Sequence, residues 1–212
     1  LAEKIGIAKS RDGTHRLDMI DYPGGILYLT SAGSASNLKS DSICYVICDE
    51  ADEYDWDVGG RGDPLGLIES RQSNFPRRKL LIFSTPTIEG SSRIEGEFAH
   101  SDQRDYHVPC PHCGHLQPLR WEHMGWDRSG EQVWYTCAEN GCVIYERDKP
   151  AMLRERDARH PEGARWIARN PGHPTRGYHI NALYAPIGLG WSWQQLVRKY
   201  LEAQSDDERL QH

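Results

Sequence analysis

Four of the six cysteines fall into two close pairs, Cys110-Pro-His-Cys113 and Cys137-Ala-Glu-Asn-Gly-Cys142. Structural Zn²⁺ takes four tetrahedral ligands, and Cys pairs separated by two to four residues supply two thiolates each from a tight turn. Glycines beside the pairs, Gly114 and Gly141, permit such turns. Four thiolates leave no open position, so the pattern predicts a structural zinc site. Its predicted ligands are Cys110, Cys113, Cys137 and Cys142, with His112 and His115 as weaker alternatives.

A second group of candidate residues follows an apolar run. Ile43–Cys48 is apolar at nearly every position and ends directly in Asp49-Glu50-Ala51-Asp52. In open α/β sheets, ligands bind at the carboxyl ends of the strands. One carboxylate is enough to hold the Mg²⁺ of a nucleoside triphosphate, and a second beside it orients or deprotonates the attacking water. We therefore predict that Asp49 binds Mg²⁺ and that Glu50 activates water; the alternative is an acidic, solvated loop.

Hydroxyl side chains follow the next apolar run. Leu80–Phe83 ends in Ser84-Thr85-Pro86-Thr87. Neighbouring parallel strands bring their tips together, so Ser84, Thr85 and Thr87 are candidates for sensing a γ-phosphate or contacting the two carboxylates. The alternative is a simple turn closed by Pro86.

The elements that would position these residues can be predicted from spacing. Asp63-Pro64 has the form of an N-cap followed by a first-turn proline, so a helix lies between the two apolar runs and completes a βαβ unit. The pattern also predicts two strands joined by a turn within 17–30, a short helix after Ser92, and hairpins around the cysteines. Further predictions are a helix over 149–160, a strand over Gly177–Leu183 and a capped helix after Ser192.

Composition excludes several classes of protein. The chain has 212 residues, 38% of them hydrophobic, and no apolar stretch near the roughly 20 residues that a membrane helix needs. With 25 Lys and Arg against 31 Asp and Glu, the net charge of −6 excludes a protein that coats DNA over its whole surface. No secretory signal pattern is present, and the start at Leu1 leads us to expect a piece of a longer protein.

The order of these motifs resembles the large terminase subunit of lambda-type tailed phages. The resemblance rests on Ile47–Glu53, Gly59–Pro64, Ser84–Thr87 with Ser92–Glu95, and Cys110–Gly114 with Gln117 and Trp121, and it extends over nearly the whole chain. It implies an α/β fold, namely a partial P-loop-NTPase-like parallel sheet with a zinc-ribbon-like insertion.

The resemblance also implies a function. Such subunits use ATP and Mg²⁺ to drive double-stranded DNA into a procapsid, and a separate nuclease domain cuts the concatemer. By resemblance, Asp49 and Glu50 correspond to the Walker B aspartate and the catalytic glutamate, and Ser84–Thr87 to the coupling motif. The implied partners are double-stranded DNA, the terminase small subunit and the procapsid portal, in a homo-oligomeric motor in the bacterial host cytoplasm.

Two expected features are missing from the sequence. No Gly-x₄-Gly-Lys-Ser/Thr phosphate loop occurs, and no acidic nuclease cluster is identifiable. We therefore expect the chain to be a central fragment that hydrolyses ATP poorly by itself, since the phosphate loop supplies the backbone N–H cradle and the lysine. Its predicted segments are 1–105 (ATPase part), 106–148 (zinc insertion), 149–190 (return segment) and 191–212 (helix toward the nuclease).

Two other functions stay open at this stage. Asp49-Glu50-Ala51-Asp52 also spells the second motif of superfamily-2 helicases, with Ser84-Thr85-Pro86 in place of the third. The cysteine-bearing segment is also compatible with a non-enzymatic zinc-ribbon module that docks protein or DNA.

Overall fold

The structure, a computed structural model, describes residues 18–34, 42–87 and 90–203. It divides into two compact units, Leu1–Pro86 and Thr87–His212. The helices are α1 (Pro64–Gln72), α2 (Arg93–Ala99), α3 (Lys149–Met152) and α4 (Trp193–Glu202). The strands are β1 (Met19–Tyr22), β2 (Gly25–Tyr28), β3 (Tyr45–Asp49), β4 (Lys79–Phe83), β5 (Arg104–Pro109), β6 (Leu116–Pro118), β7 (Met124–Trp126), β8 (Val133–Thr136), β9 (Val143–Ile144), β10 (Arg165–Ala168) and β11 (Tyr178–His179).

The first unit begins with an antiparallel hairpin. β1 and β2 pair from Met19↔Tyr28 to Tyr22↔Gly25, and the connecting turn places Gly24 at φ 99°. This positive φ favours glycine, so the Pro-Gly-Gly sequence fixes the turn. The predicted pair of consecutive strands is confirmed.

A βαβ unit follows. β3 and β4 are parallel, in register from Tyr45↔Lys79 to Asp49↔Phe83, and α1 connects them. The Asp63 carboxylate accepts the Gly66 N–H at 3.1 Å and caps α1, as predicted. The mixed α/β class with parallel strands is therefore confirmed.

One face of the β3–β4 sheet is covered by α1. Cys48 packs with Leu65 and Ile68, and all three side chains are buried. The opposite face of the two strands is apolar and exposed in the described part of the unit. Its residues are Tyr45, Ile47, Leu81 and Phe83, which are 63%, 68%, 54% and 44% exposed.

The second unit is built around β5. β10 pairs with β5 antiparallel, β11 pairs with it in parallel, and β6 forms a hairpin with it. A separate antiparallel sheet has the order β7-β8-β9. Both sheets and α4 contribute to one apolar core that contains Tyr135, Trp193 and Val197.

Helix α4 is the element that the sequence defines best. The Ser192 hydroxyl accepts the Gln195 N–H at 3.1 Å, and the Gln195 side chain accepts the Ser192 N–H at 2.8 Å, which forms a capping box. Trp193, Leu196 and Val197 are buried on its apolar face. This predicted helix is confirmed.

The predicted helix over 149–160 is wrong beyond Met152. The Ala164 N–H bonds to the Arg154 carbonyl and the Arg156 N–H to the Ala164 carbonyl, so the backbone pairs with a distant segment instead. The Asp157 carboxylate then accepts the N–H groups of Arg159 and His160, which makes a turn.

The predicted strand over Gly177–Leu183 is shorter than expected. β11 contains Tyr178–His179 alone, and Ala182–Tyr184 is a 3-10 turn. The Asn181 side chain accepts the Leu183 N–H and donates to the Leu119 carbonyl, so the chain leaves the sheet at this point.

The four-segment division stays a prediction. Strand β5 crosses the predicted boundary between the ATPase part and the zinc insertion, and it shares one sheet with β10 of the predicted return segment. Among the described residues, no helix has both the length and the apolarity needed to cross a bilayer.

Candidate functional site

The acidic candidates lie at the carboxyl end of β3. Asp49 is the last residue of the strand and faces Phe83 across the parallel pair, so the strands end at the same sheet edge. The side chains of Asp49 and Glu50 are exposed. The structure therefore places both carboxylates where ligands bind in open α/β sheets.

Glu50 adopts an unusual backbone conformation. Its φ of 52° and ψ of 50° are left-handed, and it begins a 3-10 turn over Ala51–Glu53 in which the Glu53 N–H bonds to the Glu50 carbonyl at 3.0 Å. Such a conformation costs a residue with a Cβ about 1–2 kcal/mol. Strain of this kind concentrates at functional sites, and no residue pattern in the sequence predicted it.

Ser84 connects the two strand ends directly. Its Oγ accepts the Asp52 N–H at 3.1 Å and donates to the Thr85 carbonyl at 3.3 Å. The predicted proximity of the acidic and hydroxyl strand ends is thus present for Ser84 and the adjacent, exposed Thr85. Thr87 is the first residue of the second unit.

Sequence reasoning missed Tyr54, which lies behind the acidic strand end. Burial and the neighbouring Cys48 thiol, to which its hydroxyl is hydrogen-bonded, raise the pKa of Tyr54 despite a backbone hydrogen bond at Asp49. Burial likewise raises the pKa of Cys48 to about 11, so both groups are neutral near pH 7. Tyr54 therefore links the buried end of β3 to the backbone of the acidic pair.

The four predicted zinc ligands come together in the second unit. The sulfur atoms of Cys110, Cys113, Cys137 and Cys142 all lie within 4.8 Å of one another. The Cys113 and Cys137 sulfurs are 3.7 Å apart. Tetrahedral Zn–S bonds of about 2.3 Å require sulfur–sulfur distances of about 3.8 Å, so the four residues present fit a zinc ion.

Two equivalent turns hold these cysteines. In the β5–β6 turn the Cys110 N–H bonds to the His115 carbonyl and the Gly114 N–H to the Cys110 carbonyl, at 2.8 and 2.9 Å. In the β8–β9 turn the Cys137 N–H bonds to the Cys142 carbonyl and the Gly141 N–H to the Cys137 carbonyl, at 2.9 and 3.0 Å. The two turns therefore have the same backbone hydrogen bonds. The second pair is spaced more widely because its second cysteine, Cys142, takes the position that His115 has in the first turn.

Asn140 occupies the position in the second turn that Cys113 has in the first. Its side chain hydrogen-bonds to Cys113 and, with the His115 backbone, lowers the pKa of that thiol to about 6. Burial instead raises the pKa of Cys110 to about 12 and also raises the pKa of Cys142. At neutral pH without metal, Cys113 is thus ionised, whereas Cys110 and Cys142 are protonated.

The alternative histidine ligands have other roles. The His112 Nε2 lies 2.9 Å from the Val143 carbonyl and so links the first turn to β9. The metal-compatible cluster in the described ranges consists of the four cysteines and does not include His112 or His115. A second link joins the turns, because the Gln117 Oε1 accepts the Ala138 N–H at 2.7 Å.

Comparison with known proteins finds a family and two relatives that match this chain. The family described as phage terminase large subunit gpA, ATPase domain, matches residues 1–159. The chain is 29% identical over 232 residues to the terminase large subunit of Enterobacteria phage P21, covering 95% of this chain and 34% of that protein. It is 27% identical over 222 residues to the terminase large subunit of Escherichia phage lambda, covering 93% and 33%.

The chain spans about a third of the length of these curated relatives. No solved structure matches it. The family match nevertheless includes the acidic strand end, the hydroxyl strand end and all four cysteines. The chain belongs to the family of the phage terminase large subunit gpA ATPase domain.

Proposed function

We propose that this chain forms part of a phage DNA-packaging motor that couples ATP hydrolysis to the movement of double-stranded DNA into a procapsid. Asp49 holds the Mg²⁺ of the nucleotide, and Glu50 orients and deprotonates the attacking water. Ser84, Thr85 and Thr87 couple the state of the γ-phosphate to the rest of the motor. The magnesium ion supplies charge neutralisation for the phosphates.

One observation carries this proposal. The Asp52 N–H donates to Ser84 Oγ at 3.1 Å, so the loop that bears the two carboxylates is bonded to the end of the neighbouring strand. A movement of the carboxylates toward a phosphate would therefore be transmitted to Ser84–Thr85. The family assignment favours a packaging motor over a superfamily-2 helicase.

The remaining parts of the proposal concern the cofactors, the fold and the partners. Zn²⁺ bound to the four cysteines is structural, the first unit is part of a P-loop-like sheet, and the cysteine turns form a zinc-ribbon-like insertion. The motor is a homo-oligomer that acts with the small subunit, the portal and double-stranded DNA in the host cytoplasm. In the complete motor, a nuclease domain cuts the concatemer.

The first prediction tests Glu50. A graft of this chain in place of the matching third of the phage P21 large subunit should hydrolyse ATP, and Glu50→Gln should lower its turnover at least about a hundredfold, since general-base catalysis contributes about 10²–10⁴. Glu53→Gln is the matched control, because Glu53 is exposed in the same turn. Steady-state phosphate release measures both variants.

Two results would refute the motor function. One is a graft that folds but hydrolyses no ATP in the presence of duplex DNA. The other is a Glu50→Gln graft that is as active as Glu53→Gln. The 212-residue chain alone should show little turnover, since its sequence contains no phosphate loop.

A further inference from the structure

The sheet of the second unit has two faces of different chemistry. One face is apolar and turns toward the core, with Tyr106 and Val108 of β5 and Trp166 of β10. Side chains alternate along strands, so the intervening residues point the other way. These are Asp105 and His107 on β5, Arg165 and Ile167 on β10, and His179 on β11.

Continuation of the same alternation adds two arginines to the outward face. Arg169 follows Arg165 and Ile167 at the same spacing, and Arg120 follows Pro118 of β6, which pairs with His107. Contacts agree with this placement: the Asp105 carboxylate accepts Nε–H and Nη2–H of Arg169 at 2.6 and 2.7 Å, and Arg120 Nη2 lies 3.8 Å from Asp105. We call Arg120, Arg165 and Arg169 the cationic face.

The charge on this face is positive. At the strand positions of this face Asp105 is the single carboxylate, whereas Arg165 of β10 and the flanking Arg120 and Arg169 each carry a positive charge. Burial lowers the pKa of His107; Asp105 opposes this shift, and Arg165 and Arg120 add to it, so His107 is neutral at pH 7. The local excess of positive charge contrasts with the net charge of −6 of the chain.

Contacts within the chain leave these arginine side chains partly exposed and do not occupy all of their N–H donors. The Arg120 and Arg169 side chains are 47% and 45% exposed, whereas the Asp105 side chain beneath them is 9% exposed. Asp105 occupies two of the five N–H donors of Arg169. Arg165 contacts the Gly163 carbonyl at 3.5 Å, the outer limit of a hydrogen bond. Asp105 therefore fixes Arg169 in place and lies beside Arg120, and all three arginines keep N–H donors that these contacts do not use.

We propose that the cationic face binds the phosphate backbone of duplex DNA. The inference rests on the proposed function for the identity of the nucleic acid. Guanidinium groups recognise phosphates by charge and by paired N–H donors. An acidic protein needs such a local patch, because its average surface repels DNA. The contact is independent of sequence, since it is made to the backbone.

Salt dependence of duplex binding by the 212-residue chain tests this inference. Each phosphate contact contributes about 0.9 to the slope of log K against log salt. Arg165→Gln should reduce the magnitude of that slope by about 0.9 and weaken duplex binding about tenfold at ~50 mM salt. The double variant Arg120→Gln with Arg165→Gln should reduce the magnitude of the slope by about 1.8. Arg165→Lys should keep the slope, because it keeps the charge.

Matched controls are available in the same unit. Arg128 and Arg198 are exposed and lie in the β7–β8 turn and on α4, neither of which is part of this sheet. Arg128→Gln and Arg198→Gln should bind labelled duplex with the slope of the unsubstituted chain. Equal losses for control and face variants would overturn the proposal. So would a loss of slope in Arg165→Lys, or an unsubstituted chain that shows no salt-dependent binding. Competition by polyglutamate as effective as that by DNA would also overturn it.

Measurements of duplex binding and of ATP turnover test the cationic face and the motor function separately. If Glu50→Gln leaves ATP turnover of the graft unchanged, the motor proposal fails whatever the duplex measurements show. If Glu50→Gln abolishes turnover while the arginine variants bind DNA normally, only the proposal that the cationic face binds DNA is wrong.

Discussion

Glu50 combines the predicted catalytic role with a left-handed backbone. Neighbouring Asp49 ends a regular strand, so the chain must turn sharply within one residue to begin the 3-10 turn at Ala51. Ala51, the first residue of this turn, is completely buried. A glycine would make this turn with less strain, so the presence of a carboxylate here points to a functional requirement.

The second prediction concerns this strain. Glu50→Gly should be about 1 kcal/mol more stable than Glu50→Ala, because glycine adopts φ 52° without a Cβ clash. At Glu69, inside α1, the order should reverse by a similar amount, since glycine weakens a helix interior. Urea unfolding of the four variants measures both differences. Alanine equal to or better than glycine at position 50 would contradict the strained conformation.

At the scale of elements, the two cysteine turns are the clearest structural repeat. They have the same pair of backbone hydrogen bonds but place their second ligand differently, at Cys113 in one turn and at Cys142 in the other. In the second turn, Asn140 takes the position that Cys113 has in the first turn, and its side chain hydrogen-bonds to Cys113. The second turn thus contributes to the environment of a ligand in the first turn.

The third prediction is a pH dependence of metal affinity. Cys110 and Cys142 have raised pKa values, so each must lose a proton when it binds Zn²⁺, whereas Cys113, with a pKa of about 6, is already ionised above that pH. Zinc affinity should therefore rise at least about 100-fold per pH unit from pH 7 to 8. Competition titrations with a chromophoric chelator measure it.

Asn140→Ala provides the matched variant for this measurement. Loss of its hydrogen bond raises the pKa of Cys113 toward the usual thiol range, so binding near pH 7 should release one further proton and become weaker. Glu139→Ala, in the same exposed turn, should behave like the unsubstituted chain. A pH dependence unchanged by Asn140→Ala would contradict the assigned role of this amide.

At the scale of the whole molecule, the second unit depends on long-range contacts. Its core joins residues from β5 to α4, and Cys110 and Cys137 are members of it. The Tyr184 hydroxyl donates to the Tyr106 carbonyl and accepts the Leu119 N–H, which links segments 65 and 78 residues apart. Metal binding in such a core contributes directly to folding.

The fourth prediction is that zinc removal unfolds this unit. The purified chain should contain one zinc ion, and chelation should make residues 106–145 sensitive to protease, because the cysteine turns lose their common ligand. Cys137→Ser should have the same effect. Cys44→Ser is the control, since Cys44 lies in the first unit and outside the cluster. Chelation that leaves digestion unchanged would contradict a structural zinc site.

Residue order by itself determined the elements whose signals are local. The Asp63 and Ser192 caps, the Pro-Gly turn of β1–β2, the βαβ order and the paired cysteines are set by neighbouring residues, and the structure reproduces them. Helix α3 is shorter than predicted because the backbone of Arg154 and Arg156 pairs with Ala164. Strand β11 is shorter because Asn181, whose side chain donates to the Leu119 carbonyl, caps a 3-10 turn.

Tertiary structure alone decided how the candidate residues meet. Three contacts join residues that are distant in sequence: the bond from Asp52 to Ser84, the bond from the Asn140 amide to Cys113, and the bonds from Arg169 to Asp105. The left-handed backbone of Glu50 is likewise seen in the structure alone. Local spacing carries no information on these contacts, since they depend on strand register and on which face of a sheet is buried. For this chain, the sequence specified the chemical groups, and the pairing of β3 with β4 and of β5 with its neighbours brought them together.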